Sequence, residues 1–187
     1  MAYSKKSKSM GVIQIHDKKF ETFIPYEAID KAVGKVAANI NRELKDDLPI
    51  FLVILNGSFM FAADLLKKIE FPCEVSFIKL ASYVGTQSTE KLKELIGLNE
   101  ELEGRTIVIV EDIIDTGNTL EGVLKSLKKM KTKSVKIATL LYKPKAFKGS
   151  YDIDYIGIEI PNDFIVGYGL DYDQQGRNLK DIYKIVE

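Results

Sequence analysis

Residues that build cross-links and ion cages are scarce in this chain. One cysteine, Cys73, stands among 187 residues, which rules out an internal disulfide and gives no metal-ligand spacing. Its place in or beside a strand makes burial its expected role. One histidine, His16, is present, so a nucleophile–histidine triad or a His-rich metal site would have to use it. Its setting, Gln14-Ile15-His16-Asp17, reads as an ordinary solvated passage from strand to turn. Net charge is missing too. Twenty-seven Lys and Arg offset 27 Asp and Glu, so no overall field draws the protein to nucleic acid or to a membrane surface. No stretch is apolar for long enough to cross a bilayer, and none has the layout of a signal peptide. A cytoplasmic protein is the simplest expectation. Internal repeats, low-complexity linkers and a Gly-x-x-x-x-Gly-Lys-Ser/Thr nucleotide loop are also absent from the sequence.

What is present is an ordinary globular composition, 45% hydrophobic and 29% charged, in a length that suits one well-packed domain. Residues 1–10 are polar, with a small basic cluster at Lys5, Lys6 and Lys8, and are expected to be disordered. Val12-Ile13-Gln14-Ile15 and Phe20–Ile24 read as short strands about an Asp17-Lys18-Lys19 turn. Ile29, Val33, Val36, Ala37 and Ile40 recur at helical spacing between Tyr26 and Lys45, and Pro49 marks the break. Phe51–Leu55 is a continuous apolar run, hence a buried strand. Asn56-Gly57-Ser58 then turns into a helix carrying Phe61, Ala62, Leu65 and Leu66.

Glu74–Leu80 alternates as a strand does, while Tyr83–Glu90 is polar and has no core-facing pattern. That stretch is expected to be a mobile loop, which in an enzyme can serve as a lid. A helix from Leu120 to Lys131 and a strand over Val135–Tyr142 follow. Further strands are expected near Tyr155–Ile158, Phe164–Gly167 and Asp181–Val186. Strands alternating with helices imply an α/β fold with a mostly parallel central sheet flanked by helices. The β-rich ends, about 11–25 and 151–187, are expected to cap a core of about 26–150, all within one domain.

The most informative run is Ile107-Val108-Ile109-Val110-Glu111-Asp112-Ile113-Ile114-Asp115-Thr116-Gly117-Asn118-Thr119. Four consecutive β-branched residues fit a strand covered on both faces. Glu111 and Asp112 then fall where an open α/β sheet binds ligands, just beyond a strand's carboxyl end. Thr116, Gly117, Asn118 and Thr119 offer hydroxyls and unhindered backbone N–H groups at a helix start, which favours a phosphate. Acidic residues before a Thr-Gly often do no more than end a strand and cap a helix. Here the apolar lead, the paired acids, the third acid Asp115 and the Thr-Gly-x-Thr all lie in register. They point to one ligand that carries both a hydroxylated sugar and a phosphate.

This segment resembles the phosphoribosyl-pyrophosphate signature of the type I phosphoribosyltransferases, and its wording over Val110–Gly117 looks most like the hypoxanthine/guanine branch. The resemblance runs from about Ile50 to Val186. It implies the type I phosphoribosyltransferase fold, in which a small β-rich hood covers the core. It also implies purine salvage: the 5-phosphoribosyl group passes from phosphoribosyl pyrophosphate to N9 of hypoxanthine or guanine. Glu111 and Asp112 would then receive the ribose hydroxyls and, with Mg2+, the pyrophosphate. The loop Asp115–Thr119 would hold the 5′-phosphate. Asp115 would be the general base at N7 and the candidate catalytic residue.

Other segments take roles from the same resemblance. Leu55-Asn56-Gly57-Ser58 looks like the pyrophosphate loop, where the peptide entering the second residue is often cis. That second residue is commonly basic in relatives but is Asn56 here, which leaves backbone groups and magnesium to handle more of the charge. Ser82-Tyr83 resembles the pair that closes over the reaction centre. Lys143 matches the lysine that donates to the 6-oxo group of the purine. Phe164 would stack on the base and the Ile165 backbone would meet its Watson–Crick edge. Asp171 matches a carboxylate for a second magnesium. Arg177 matches an arginine on pyrophosphate, although the aromatic that often precedes it is Gly176 here. The resemblance further implies a homo-oligomer, dimer or tetramer. Two alternatives remain at this point: a transferase acting on xanthine or a pyrimidine, and a nucleic-acid-binding regulator on the same fold.

Overall fold

The computed structural model describes residues 11–79 and 101–186. Along the chain come β1 (Val12–Ile15), β2 (Lys18–Ile24), α1 (Tyr26–Leu44), β3 (Ile50–Leu55), α2 (Phe59–Leu66) and β4 (Glu74–Lys79). They are followed by β5 (Thr106–Ile114), α3 (Asn118–Lys129), β6 (Ser134–Tyr142), β7 (Tyr155–Glu159), β8 (Ile165–Val166) and β9 (Ile182–Val186).

The two longest apolar runs, in β3 and β5, become the middle of a five-stranded parallel sheet ordered β4-β3-β5-β6-β7. Helices cover both of its faces, which is why these strands show no alternation: every residue from Ile107 to Val110 is fully buried. On one face α1 presents Ile29, Val33, Val36, Ala37 and Ile40 and packs beside α2 with Phe61 and Leu65. On the other, α3 presents Leu120, Val123 and Leu127. Each of these valine, leucine, isoleucine and phenylalanine side chains contributes about 1.5–3 kcal/mol relative to exposure. This is the α/β architecture expected from the sequence, a parallel central sheet flanked by helices.

A separate four-stranded antiparallel sheet, ordered β1-β2-β9-β8, forms the hood around Phe20 and Val166. Tyr26 N donates to Asp181 Oδ1 at 2.8 Å, which ties the last hood strand to the start of α1. The expected hood span of 151–187 divides in the structure. Residues Tyr155–Glu159 join the core sheet through parallel pairing with β6, and only the chain beyond them pairs with the N-terminal hairpin. Nothing in the composition of a five-residue strand distinguishes those two destinations.

A second difference bears directly on the site. The strand expected to stop at Val110 runs on to Ile114. Pairing with β3 does end at Val53↔Val110, but pairing with the nine-residue β6 continues through Ile113↔Leu141 and Ile114↔Tyr142. Glu111 and Asp112 therefore lie within a strand that has lost its partner on one side only. Their carboxylates are carried by a backbone still held in a ladder.

Candidate active site

Where β3 leaves the sheet, the Leu55–Asn56 peptide is cis, as the sequence comparison suggested. The loop that follows comes close to the tip of β5. A Cβ on Gly57 would fall 1.6 Å from Asp112 Oδ2, so only glycine lets the acid lie against this backbone. Asp112 Oδ1 accepts from Ile113 N at 2.8 Å. Loss of hydration lifts the Asp112 carboxyl to about 6, against the lowering effects of that bond and of Arg177. Glu111 is buried more deeply. Its Oε2 has no hydrogen-bond partner among the described residues, and burial followed by repulsion from Asp112 pushes its pKa well above the ordinary carboxylate range. A buried carboxylate oxygen left unpaired calls for an explanation, and an external cation or hydroxyl supplies one.

Beyond β5 the chain turns through Asp115 and Thr116 into α3. Gly117, at φ +86, is the N-cap and has no side chain with which to close the helix end. Glu111, Asp115, Thr116, Gly117 and Thr119 line a recess of about 90 Å3 in front of this helix end. No hydrogen bond to the hydroxyls of Thr116 or Thr119 is found among the described residues. Free helix-start N–H groups together with hydroxyls make a seat for an oxyanion.

Lys143 follows β6 and is buried, against the usual habit of lysine. Its Nζ meets Asp115 Oδ2 at 2.9 Å, with the Asp115 side chain 44% exposed. An ammonium has three donors, so two remain for a ligand. Phe164, expected in the core if judged by its apolar neighbours alone, is instead 46% exposed. It stands edge-on to Tyr172 with ring centroids 5.7 Å apart. Ile165 beside it is buried in β8 and paired with Lys184.

The loop beyond β8 returns to the pyrophosphate turn. A Cβ on Gly169 would lie 2.0 Å from Gly57 O. Arg177 donates to Gly169 O at 2.8 Å and pairs with Asp171 Oδ1 at 2.7 Å. Asp171 is thus engaged with arginine. No three His, Cys, Asp or Glu side chains gather as an ion cage among the described residues. Two adjacent acids with an orphaned oxygen nevertheless fit Mg2+ that arrives largely on substrate oxygens, since that ion is commonly held by one or two carboxylates plus phosphates.

Sequence reasoning did not single out Tyr168, whose hydroxyl donates to Asp64 Oδ2 at 2.6 Å and anchors the turn before Asp171 to α2. Nor did it find Tyr151, whose hydroxyl donates to Gly117 O at 2.8 Å. A tyrosine near glycine in a loop was the only local signal, and each partner is more than 30 residues away. Ser82 and Tyr83 lie outside the described residues.

The parallel sheet, the paired acids at its carboxyl edge and the oxyanion recess beside them form one site suited to a ligand with hydroxyls and a phosphate. Comparison with known proteins agrees. The family model of the phosphoribosyl transferase domain matches residues 25–173. The hypoxanthine-guanine phosphoribosyltransferase of Bacillus subtilis is 40% identical over 160 residues, covering 85% of this chain and 89% of that protein. The hypoxanthine phosphoribosyltransferase of Escherichia coli K12 is 39% identical over 170 residues, covering 89% and 95%. A crystal structure of a hypoxanthine phosphoribosyltransferase from Staphylococcus aureus superposes with a TM-score of 0.83 at 34% identity, covering 89% of this chain and 91% of that one. The chain belongs to the phosphoribosyl transferase family.

Proposed function

We propose that the protein salvages purines by moving the 5-phosphoribosyl group of phosphoribosyl pyrophosphate onto N9 of hypoxanthine, and onto guanine as well. The bond from N9 to C1′ forms as the bond from C1′ to the pyrophosphate oxygen breaks, giving a nucleoside monophosphate and pyrophosphate. One observation carries this reading: Asp115, joined at 2.9 Å to Lys143 at the end of β6, stands directly beyond Glu111 and Asp112 at the end of β5, where Glu111 keeps an oxygen with no partner among the described residues. A base that must be both read and deprotonated, next to a sugar that must be held, calls for that order.

Glu111 and Asp112 would accept hydrogen bonds from the ribose 2′- and 3′-hydroxyls, and the Thr116–Thr119 loop would receive the 5′-monoester. Asn56, Gly57 and Arg177 would face the pyrophosphate, where a planar guanidinium can give two bonds at once. Asp115 would take the N7 proton as N9 attacks. Lys143, a donor only, favours a 6-oxo group and penalises a 6-amino group. Phe164 offers a flat face for the base and the Ile165 backbone meets its edge. Mg2+, held by Glu111 and Asp112 together with substrate oxygens, and a second ion near Asp171, would neutralise charge on the leaving pyrophosphate. No helix among the described residues is long and apolar enough to cross a membrane. The reading also includes a cytoplasmic placement and a homo-oligomeric assembly. No nucleic acid partner is needed.

The test is kcat/KM for hypoxanthine, guanine, xanthine and adenine with phosphoribosyl pyrophosphate as donor. Hypoxanthine and guanine should lead adenine by a wide margin. Equal use of adenine, or no pyrophosphate release with any purine, would sink the proposal.

A further inference from the structure

The phosphate recess is supported from behind by the connection from β6 to β7, in which no residue after Lys143 has a role in the reading above. It starts as a turn at Lys143, whose carbonyl accepts from Ala146 N and Phe147 N at 3.1 Å each. Lys148 N then donates to Thr116 O at 3.1 Å. Three residues later the Tyr151 hydroxyl donates to Gly117 O at 2.8 Å. The Phe147 and Tyr151 rings meet edge to face, 5.3 Å apart, and Phe147 makes a similar contact with Tyr142 at 5.5 Å. They close over Gly117 so tightly that a Cβ there would lie 2.7 Å from each. Two successive carbonyls of the phosphate loop are thereby drawn to the side away from the recess.

Peptide planarity turns this into a statement about ligand binding. In a trans peptide the C=O and the next residue's N–H point in opposite directions. Fixing Thr116 O on Lys148 therefore aims Gly117 N–H the other way, and fixing Gly117 O on Tyr151 aims Asn118 N–H the other way. The left-handed backbone at Gly117 brings consecutive N–H groups into one concavity of the kind that binds anions. The helix itself secures Gly117 O weakly, through Glu121 N at 3.3 Å, so the phenol is its shorter tether. Burial raises the Tyr151 phenol to about 12. It stays a donor throughout the working range of pH.

We propose that Tyr151 is a positioning residue, which aims the Gly117 and Asn118 amides at the 5′-monoester of the phosphoribosyl donor. The idea rests on the phosphoribosyl reading and adds to it a residue that never touches the substrate.

Tyr151→Phe keeps the ring and removes only the donor. KM for phosphoribosyl pyrophosphate should rise roughly three- to tenfold, the worth of one neutral hydrogen bond, with kcat and KM for hypoxanthine unchanged. Ribose 5-phosphate, a probe with the monoester but no pyrophosphate, should lose affinity by the same factor in calorimetry. The Gly117 and Asn118 amide signals should move less on adding inorganic phosphate than they do in the parent protein. Tyr151→Ala, which also strips the ring, separates packing: it should lower thermal stability where Tyr151→Phe does not. Unchanged constants for both phosphates in Tyr151→Phe would overturn the proposal. So would a parallel rise in both substrates' KM with a fallen melting temperature, which marks a merely structural role. If the parent protein neither binds ribose 5-phosphate nor makes nucleotide, the phosphoribosyl reading fails first and takes this one with it.

Discussion

The two halves of the site are built on different supports. The half proposed to hold the phosphoribosyl group comes from one unbroken stretch, Glu111–Thr119, carried by a strand in a ladder and a helix start fixed from behind. Glu111 Oε2 there has no partner among the described residues, and desolvation raises the Glu111 and Asp112 carboxyls. The half proposed to receive the purine and the leaving pyrophosphate is assembled from Lys143 at a strand end, Phe164 at the hood's edge and a loop reaching Arg177, and its charges already have partners at 2.9 Å and 2.7 Å. One half stores unmet electrostatic demand on a rigid frame. The other satisfies itself and must rearrange its pairs to admit a base. Substitutions should therefore act on chemistry and base choice in the second half, and on affinity and resting stability in the first.

The sharpest test of that contrast falls on the residue where the halves meet. Asp115 belongs to the phosphoribosyl stretch but is paired with the purine lysine. Asp115→Asn keeps the shape and removes the base, so kcat should fall by about 10²–10⁴-fold, the usual worth of general acid–base help, with modest change in either KM. An unchanged turnover number would remove it from that role. Lys143→Gln should cost less, roughly ten- to a hundredfold in kcat/KM for hypoxanthine, as expected when a charge-assisted hydrogen bond is lost. It should cost little for adenine, so the ratio between the two bases narrows. If the ratio held, base choice would lie in the backbone near Ile165. Phe164→Leu should raise KM for the purine by roughly five- to tenfold, the low end of the about 1–3 kcal/mol that stacking on one base is worth, because leucine keeps part of the apolar contact. The donor's KM should stay put, and a matching rise there would erase the distinction between the halves.

The same contrast explains what the sequence could show. A contiguous stretch with four β-branched residues, three acids and a Thr-Gly-x-Thr declares itself because its neighbours along the chain are its neighbours in space. The alternating strands and helices were legible for the same reason: period 2 and period 3.6 are local properties. Three things were not. Glu111 and Asp112 were expected past a strand end, yet pairing with β6 carries the strand to Ile114, and a ladder depends on a partner 28 residues away. Tyr155–Glu159 was assigned to the hood because its sequence does not say which sheet it joins. The tethers Tyr151–Gly117 and Tyr168–Asp64 span 34 and 104 residues. Each is a hydroxyl finding one acceptor, and nothing periodic marks it.

The smallest expected effect concerns stability, and its sign is set by the unmet demand in the first half. Asp112 ionises near 6 in the folded protein against an ordinary value of 3.8, so the folded state holds its proton more tightly than the unfolded chain does. Stability then falls as pH rises, because the slope follows protons bound unfolded minus protons bound folded. The loss begins near pH 4 and is complete once pH has passed 6; Glu111, raised also, extends it upward. Asp112→Asn retains an oxygen to accept from Ile113 N and removes both the buried charge and its push on Glu111. In chelator-treated protein the variant should melt a few degrees higher than the parent at pH 7.5, at about 2–4 °C per kcal/mol for a chain of this size, and higher by only a fraction of that near pH 4.5. Adding donor with magnesium should reverse the order at pH 7.5, since only the parent offers the cation and the ribose a second charged carboxylate. Melting curves from pH 4.5 to 8, with and without that ligand, read both effects. A variant less stable than the parent at pH 7.5 without ligand would mean that Asp112 holds the loop at Gly57 in place, and that its charge is not waiting for a substrate.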